Sequence, residues 1–306
     1  MTNHPPIIPC LWFDHEGEEA AALYTSLLPD SATGTVTRYG KAGQEVHGRQ
    51  EGSVMTVEFS LAGRSFLALN GGPHFKFTPA VSLFAHCSSE ADVDRLWNRL
   101  AEGGNVLMPL DRYDWSDRYG WLSDRYGLSW QIMLSRSPRA EIEITPSLMF
   151  TGDAAGKAEE AIRAYTGLFP AAEIAEMHRY GPGENDREGN VKYARFTLAG
   201  QSFIAMDSSY PHGFGFNEAF SFQVLCDSQR EVDHYWESLG TGGDARAQQC
   251  GWLADRFGLS WQIVPAVLPK MLSGPDKEGA SRAMEALMQM KKLDVAVLEA
   301  AHAGRS

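Results

Sequence analysis

Two histidines stand in matching places in the two halves of the chain. His74 and His212 each follow a proline and come just before a pair of phenylalanines in a Gly/Pro-rich loop. An imidazole acts as an acid or a base near neutral pH, which is the chemistry that this recurrence would offer. The alternative is a structural role in the loop, and the loop composition favours it. In the first half the phenylalanines are Phe75 and Phe77, and we expect them to cover the mouth of a pocket.

A segment that occurs twice carries further polar groups. Residues 120–132 read GWLSDRYGLSWQI, and residues 251–263 read GWLADRFGLSWQI. Side chains alternate along a strand, so Ser129 shares a face with Gln131 while Trp130 packs on the other face. Neutral amide and hydroxyl groups beside apolar walls are typical of a small-molecule site. A degenerate pocket that holds only water would have the same composition.

The repeat extends over most of the chain. Residues 80–97 match residues 219–236 in register, including the pair Ser82 and Ser221. A period this long indicates a duplicated domain rather than a solenoid. The predicted parts are a first domain at residues 1–137, a linker at 135–141, a second domain at 141–267 and a C-terminal tail at 268–306.

Composition restricts the partners. The net charge of −12 argues against nucleic acid, which requires a basic face. No apolar run approaches the length of a membrane helix, and the N-terminus does not resemble a secretory signal, so a cytoplasmic protein is expected. The cysteines at positions 10, 87, 226 and 250 show no C-x-x-C spacing, which argues against a disulfide framework or a zinc site.

Each half reads as a strand, a helix and further strands, twice over. Asp14 is predicted to cap the first helix, and residues 54–61 and 65–70 to form a hairpin. A strand at residues 81–87 should lead into a helix that is opened by a capping box at Ser89.

Three groups of motifs connect this pattern with a known family. They are Phe75-Lys-Phe77 before Ala80-Val-Ser82, the tripeptide Cys250-Gly-Trp, and the duplicated Asp-Arg-Tyr/Phe-Gly-Leu-Ser-Trp-Gln-Ile. With these motifs, residues 1–267 resemble two tandem vicinal oxygen chelate (glyoxalase/bleomycin-resistance) domains, closest to the PhnB-like or 3-demethylubiquinone 3-methyltransferase-like group. The resemblance implies an α+β fold in which paired βαβββ modules form a half-open barrel in each domain. It also implies a pseudo-dimer within one chain, and leaves a further homodimer open.

The methyltransferase label of that group finds no support in the residues. No Gly-rich loop opens a helix after a strand, so a nucleotide-like methyl donor has no recognisable seat.

Metalloenzymes of this superfamily place His, Glu or Gln ligands on the concave face of the barrel. The resemblance puts those positions at Pro9 and Pro146, near Asn70 and Asp207, at Ser82 and Ser221, and at Gln131 and Gln262. Serine and glutamine supply no charge, so neither domain keeps three strong ligands. We therefore expect no metal in either barrel and no other cofactor.

The first-domain pocket is expected to bind a ligand better than the second. Its predicted lining is Asn70, Phe75, Phe77, Ser82, His86 and Gln131, with Trp115 or Trp121 near its mouth and with Asp207, Ser221 and Gln262 as second-domain counterparts. Residues 109–119 form an extra stretch in the first domain only. This stretch is either a specificity loop or a hairpin that packs on the sister domain, and the sequence leans toward packing.

The tail is predicted to be helical from Glu278, with a second helix capped by Asp294. Its apolar face should dock on the tandem body and stay out of both barrel mouths.

Two functions remain open at this level. The first is a small-molecule-binding protein without a catalytic metal, which the missing ligands favour. The alternative is a lyase, isomerase or dioxygenase-type enzyme that uses a metal or a histidine on a small oxygenated substrate. The fold does not choose between them, and the residues name neither the ligand nor a catalytic group.

Overall fold

The computed structural model describes residues 6–135 and 142–305. Apart from Ser135, the linker expected at 135–141 lies outside these described residues. The first half contains two modules. The first comprises β1 (Ile7–Phe13), α1 (Gly17–Leu27), β2 (Ala32–Arg38), α2 (Gln44–His47), β3 (Val54–Leu61) and β4 (Arg64–Asn70). The second comprises β5 (Val81–Cys87), α3 (Glu90–Ala101), β6 (Asn105–Tyr113), β7 (Ser116–Ser123) and β8 (Ser129–Leu134).

The second half repeats this arrangement with one reduction. Its first module comprises β9 (Glu143–Phe150), α4 (Ala158–Leu168), β10 (Glu173–Arg179), β11 (Val191–Leu198) and β12 (Gln201–Asp207). Its second module comprises β13 (Phe220–Cys226), α5 (Gln229–Gly240), β14 (Trp252–Ala254) and β15 (Ser260–Pro265). A 3₁₀ turn at Ala245–Ala247 takes the place of the strand equivalent to β6. The tail adds α6 (Val267–Ser273), α7 (Lys277–Met288) and α8 (Val295–His302).

The strands form two open mixed sheets, as the α+β half-barrel prediction requires. The seven-stranded sheet has the order β14-β15-β13-β1-β4-β3-β2, and the eight-stranded sheet has the order β10-β11-β12-β9-β5-β8-β7-β6. Each sheet therefore combines one module from each half of the sequence. The joints are antiparallel pairs, β1 with β13 and β5 with β9. A concave face that carries β5 and β8 consequently also carries β9, β11 and β12 from the second half.

Buried aspartates hold the two modules of each half together. Asp124 Oδ2 accepts hydrogen bonds from Tyr24 Oη at 2.7 Å and from Trp130 Nε1 at 2.9 Å. Its Oδ1 accepts from the backbone N–H groups of Tyr126 and Leu128. Tyr24 lies on α1 and Trp130 on β8, so one carboxyl group links a helix of one sheet to a strand of the other. Such full satisfaction is what a buried polar group requires.

The second half repeats this linkage. Asp255 Oδ2 accepts from Tyr165 Oη at 2.6 Å and from Trp261 Nε1 at 2.9 Å. Trp130 and Trp261 are both buried in the main core, as the strand alternation predicts. The duplicated motif therefore encodes the helix-side core and a tight turn, in addition to the glutamine on the opposite face.

Most local predictions are confirmed. The strand bounds of the first hairpin agree to within one residue, and Ser89 Oγ accepts a hydrogen bond from the N–H of Asp92 at 3.1 Å. The predicted cap at Asp14 is wrong, because that carboxylate pairs with Arg49 at 3.1 Å. The helix α1 begins at Gly17 instead. Among the described helices, none has the length and apolarity needed to cross a bilayer.

Candidate functional site

A chain of buried hydrogen bonds lies on the concave face of the eight-stranded sheet. Gln131 Nε2 donates to Ser82 Oγ at 2.8 Å, and Tyr119 Oη donates to Gln131 Oε1 at 2.7 Å. Trp121 Nε1 donates to Ser129 Oγ at 2.8 Å. The face is opposite the helices because Trp130, between Ser129 and Gln131, points into the helix-side core. Of the predicted pocket residues, the structure brings Ser82, Trp121 and Gln131 together here.

Three serines cross this face in one row. Strand register pairs Ser82 with both Ser129 and Ser147. Ser147 is 1 % exposed, and its Oγ finds no hydrogen-bond partner in the structure. A buried hydroxyl without a partner costs free energy, so this atom has hydrogen-bonding capacity that the surrounding described residues leave unused.

His86 supplies a second buried group without a partner on the same face. Within residues 6–135 and 142–305 its Nδ1 meets no hydrogen-bond partner, and its ring stacks on Phe84 with centroids 4.5 Å apart. Burial lowers the pKa of His86 to about 4, although the carboxylate of Glu143 acts in the opposite direction. The imidazole is therefore neutral at physiological pH. Glu143 forms an ion pair with Arg195, so the charges at this edge of the face compensate each other.

Apolar side chains surround these polar groups. Phe84, Tyr119 and Ile204 form a small buried cluster on this face. Partly buried residues pack against it from both halves of the sequence, namely Met108, Tyr113, Trp121, Met133, Tyr193 and Met206. The face thus combines an apolar wall with a few convergent neutral polar groups, which is the composition of a small-molecule site.

The first-half hairpin β6–β7 takes part in this wall. Its counterpart in the second half is only the three-residue strand β14. Tyr113 stacks on Trp115 with centroids 5.0 Å apart, and both rings contact the edge or face of Tyr119. Trp115 is 60 % exposed, so most of its ring surface faces solvent despite these two contacts. Tyr119 of the hairpin packs in one buried cluster with Ile204 of the second half, which agrees with the packing alternative, whereas a role as a specificity loop stays a prediction.

The seven-stranded sheet carries a related face. Gln262 Nε2 donates to Ser221 Oγ at 2.9 Å, which repeats the bond between Gln131 and Ser82. Here the side chain that approaches the glutamine oxygen is an amide rather than a phenol: Gln223 Nε2 lies 3.4 Å from Gln262 Oε1. Cys10 pairs with Ser221 across the strands, and burial raises the pKa of its thiol to about 11. This thiol is therefore protonated and unreactive at neutral pH.

The C-terminal tail covers part of that second face. Leu225 and Val264 lie on the same side of their strands as Gln223 and Gln262, and they pack with Leu293, which is fully buried. Met290 and Lys291 accept hydrogen bonds from the backbone N–H groups of residues 250 and 251 at 2.8 Å.

The local backbone is adapted to this contact. Gly251 has a φ of +86°, and a Cβ added there would lie 3.1 Å from Leu293. The predicted docking of the tail and the helix at Asp294 are confirmed. The expectation that the tail stays out of both barrel mouths is wrong for the second sheet, because Leu293 packs with Leu225 and Val264 on its concave face.

Asn70 and Asp207 do not lie on the concave faces. Asn70 Oδ1 accepts from the N–H of Gly17 at 2.8 Å, at the start of α1. Asp207 accepts from the N–H groups of Gly156, Ala158 and Val191. Both side chains therefore stabilise helix starts on the helix side of their sheets. The concave position next to Asp207 is held by Met206, whose side chain packs with the Tyr119 cluster.

The loop aromatics also lie apart from the bonds around Gln131. Phe75 contacts Trp12 edge to face with centroids 5.0 Å apart, and Phe77 contacts Phe13 at 5.3 Å. Trp12 and Phe13 belong to β1 of the seven-stranded sheet. The pocket lining expected for the first half is thus divided between two sheets, because the halves exchange modules. His212 bonds Ser208 Oγ at 2.7 Å in its loop.

Sequence reasoning missed several residues of the face. The first-strand position was assigned to Pro9 and Pro146, whereas the strand register brings Cys10 and Ser147 next to Ser221 and Ser82. The assignment was one residue off along each strand, and a shift of one residue places a side chain on the opposite face of the sheet. Alternation along β1, with Leu11 in the core, would have revealed this shift.

The donor set does not fit a catalytic divalent metal. The inward groups are hydroxyls, amides, a phenol and a neutral imidazole, without the clustered carboxylates and imidazoles that bind Fe, Ni, Mn or Zn. Among the residues that the structure describes, no three His, Cys, Asp or Glu side chains are grouped to hold such an ion.

Two solved structures are similar to this chain in different ways. A putative 3-demethylubiquinone-9 3-methyltransferase, PhnB protein, from Bacillus cereus is 37% identical over 42% of this chain and 98% of its own, with a TM-score of 0.39. Glyoxalase I from Zea mays is 10% identical and covers 86% of this chain and 94% of its own, with a TM-score of 0.51. The second likeness concerns the fold alone. Among curated proteins, none matches the chain.

The family model described as 3-demethylubiquinone-9 3-methyltransferase matches the chain twice, at residues 5–133 and 142–264. These two matches span most of the sequence and correspond to the two halves of the duplication. With its glyoxalase-like fold and two copies of the matching segment, the chain belongs to the 3-demethylubiquinone-9 3-methyltransferase (PhnB-like) family.

Proposed function

We propose that the protein binds a small, uncharged, oxygen-containing organic molecule on the concave face of the eight-stranded sheet, without a catalytic metal. One observation carries the proposal. Ser147 Oγ and His86 Nδ1 are buried without a hydrogen-bond partner among the described residues, on the same face as the bonded chain Ser82–Gln131–Tyr119. A ligand carbonyl or hydroxyl would satisfy such groups and offset the cost of burying them.

The charge state of the face supports an uncharged ligand. Burial keeps the imidazole of His86 neutral, and Glu143 is already paired with Arg195. An added charge would be desolvated there without an opposite charge to compensate it, which is costly. The aromatic rings of Tyr113 and Trp115 offer flat apolar surface, so a ligand with an unsaturated or aromatic body fits best.

The catalytic alternative has less support from the same residues. A base with a pKa of about 4, as at His86, takes up protons poorly at neutral pH. The amide and hydroxyl donors offer no anionic ligand to a metal. We therefore favour ligand binding over catalysis as the function of this site.

Matched variants of the duplicated glutamine test the proposal. A set of neutral oxygenated aromatic compounds would be screened against the full chain by ligand-observed NMR, and each hit titrated by calorimetry. Gln131→Leu should weaken a hit about tenfold or more, equivalent to roughly 1.4 kcal/mol. Gln262→Leu removes the same group from the other sheet and should leave the affinity nearly unchanged. Equal losses in both variants, or no hit at all, would contradict the assignment.

A metal assay separates the two functions. Protein purified without chelator from cells supplied with Fe, Mn, Ni and Zn should contain far less than one ion per chain. Stoichiometric metal that disappears in Gln131→Leu would establish the enzyme alternative instead.

A further inference from the structure

A cavity lies away from the concave site, between the edge of the seven-stranded sheet and the tail. It has a volume of about 700 Å³, and its walls come from β2, the loop after it, and the helices α6 and α7. None of the inward serines and glutamines described above lines it. We propose that this cavity binds a small amphipathic anion, namely a carboxylic acid or a similar singly charged acid with an apolar body.

The charges of the lining favour an anion. Arg38, Lys41 and Lys277 line the cavity, and none of them forms an ion pair among the described residues. Only two carboxylates, Glu51 and Glu278, line it as well. The lining thus has an excess of positive charge in a chain whose net charge is −12. A local reversal of this kind attracts anions by its electrostatic potential.

Arg38 is the best placed of these cations. Its Nη1 donates to the carbonyl of Gly52 at 3.1 Å, which restrains the side chain while leaving further N–H donors for a ligand. A guanidinium restrained in this way suits a carboxylate, because the two groups match in planar, two-pronged geometry.

The lining also contains apolar side chains, which account for the apolar body of the proposed ligand. Val36 and Met55 contribute from the sheet, and Leu272 and Met284 from the tail. Val36 is 37 % exposed, so the cavity leaves apolar surface in contact with water. A volume of this size is typical of sites for small organic molecules, and methionine side chains adapt to ligands of different shape.

Both walls are held in place without a ligand. Tyr39 Oη donates to the carbonyl of Asn70 at 2.8 Å, which ties the end of β2 to β4. On the tail side, Arg282 on α7 donates to the carbonyl of Ala301 on α8 at 2.9 Å. The cavity is therefore preformed, which lowers the entropic cost of binding.

The test uses octanoate as the probe, with 1-octanol and octylammonium as matched compounds of neutral and positive charge. Each is titrated into the full-length protein by calorimetry and by chemical-shift mapping. Octanoate should bind at least about tenfold more tightly than 1-octanol, and octylammonium should not compete with it. Equal binding of octanoate and octanol would overturn the assignment of an anion site, and absence of octanoate binding would overturn the site itself.

Variants locate the binding. Arg38→Gln and Lys41→Gln change exposed side chains and should each weaken octanoate several-fold, while Met284→Trp should fill the cavity and abolish binding. Arg179→Gln is the control, since Arg179 is the counterpart of Arg38 in the second half and pairs with Glu159 on the surface. Gln131→Leu should leave octanoate binding intact. Loss of octanoate binding in Gln131→Leu would place the acid at the concave site and contradict the proposal. Unchanged octanoate binding in both Arg38→Gln and Lys41→Gln would contradict it as well.

Discussion

Gln131 donates a hydrogen bond to Ser82 Oγ at 2.8 Å, and the duplicated chain repeats this bond between Gln262 and Ser221 at 2.9 Å. The amide and hydroxyl are thus common to both concave faces and do not distinguish them. The difference arises at the second amide atom, Oε1, which accepts from the phenol of Tyr119 in one sheet and faces the amide of Gln223 in the other. A further difference is the tail, which covers only the second face.

Removal of the phenol hydroxyl should test how tightly the first face is organised. Tyr119→Phe leaves Gln131 Oε1 buried without a donor, so the free energy of unfolding should fall by about 1–2 kcal/mol. Urea denaturation measures this change. Tyr113→Phe is the control, because its hydroxyl bonds the carbonyl of Pro109 at an exposed position and should matter little. Equal effects of both variants would show that the bond between Tyr119 and Gln131 contributes no stability.

The buried aspartates should make equal contributions in the two halves. Tyr24→Phe and Tyr165→Phe each remove one hydrogen bond to an aspartate and keep the aromatic packing, so each should cost about 1–3 kcal/mol. Thermal and urea unfolding provide the values. Tyr126→Phe loses a bond from its hydroxyl to Glu19 at the surface and should cost well under about 1 kcal/mol. A strongly unequal pair would mean that one half alone depends on this link.

His86 should make stability depend on pH. Its folded-state pKa of about 4 lies below the ordinary value of 6.5, so the unfolded chain takes up the proton first as pH falls. Stability is therefore complete above pH 6.5 and decreases as the pH falls toward 4, by up to roughly 3 kcal/mol.

The matched variant is His86→Leu, since Leu225 is the counterpart in the second half. The difference in unfolding free energy between wild type and His86→Leu should change across this pH range. A constant difference would mean that His86 titrates alike in the folded and unfolded chain.

The repeats predicted the duplicated strand–helix–strand modules because a duplication aligns the chain with itself, and the family resemblance implied the fold class. The strands and caps around Ser89 depend on local patterns that tertiary contacts do not override. The composition of the site followed from Gln131 and Ser82, which lie on strands with clear alternation. The residues that form the walls of the site could not be predicted in the same way. The pairing of β5 with β9 joins different halves of the sequence, and no local pattern indicates which halves share a sheet. The sequence placed Asn70 and Asp207 in the pocket. In the structure, the side-chain amide oxygen of Asn70 and the carboxylate of Asp207 accept hydrogen bonds at the starts of helices.

The tail misled the prediction for a related reason. Its amphipathic pattern indicates that an apolar face is covered, but not which surface covers it. The apolar side chains that receive it, Leu225 and Val264, replace His86 and Met133 of the other half. Comparison of these two positions is a signal that the second face has become a docking surface.

Leu293 is the residue through which this docking is best tested. Its side chain is fully buried with Leu268 and Leu298 against Val264, so Leu293→Ala should destabilise the protein by about 2–5 kcal/mol. Val297→Ala is the control in the same segment, because Val297 is 48 % exposed and should cost under about 1 kcal/mol. Urea unfolding gives the two free energies. Near-wild-type stability of Leu293→Ala would mean that the tail leaves the second face in solution, and that face would then be open to ligands like the first.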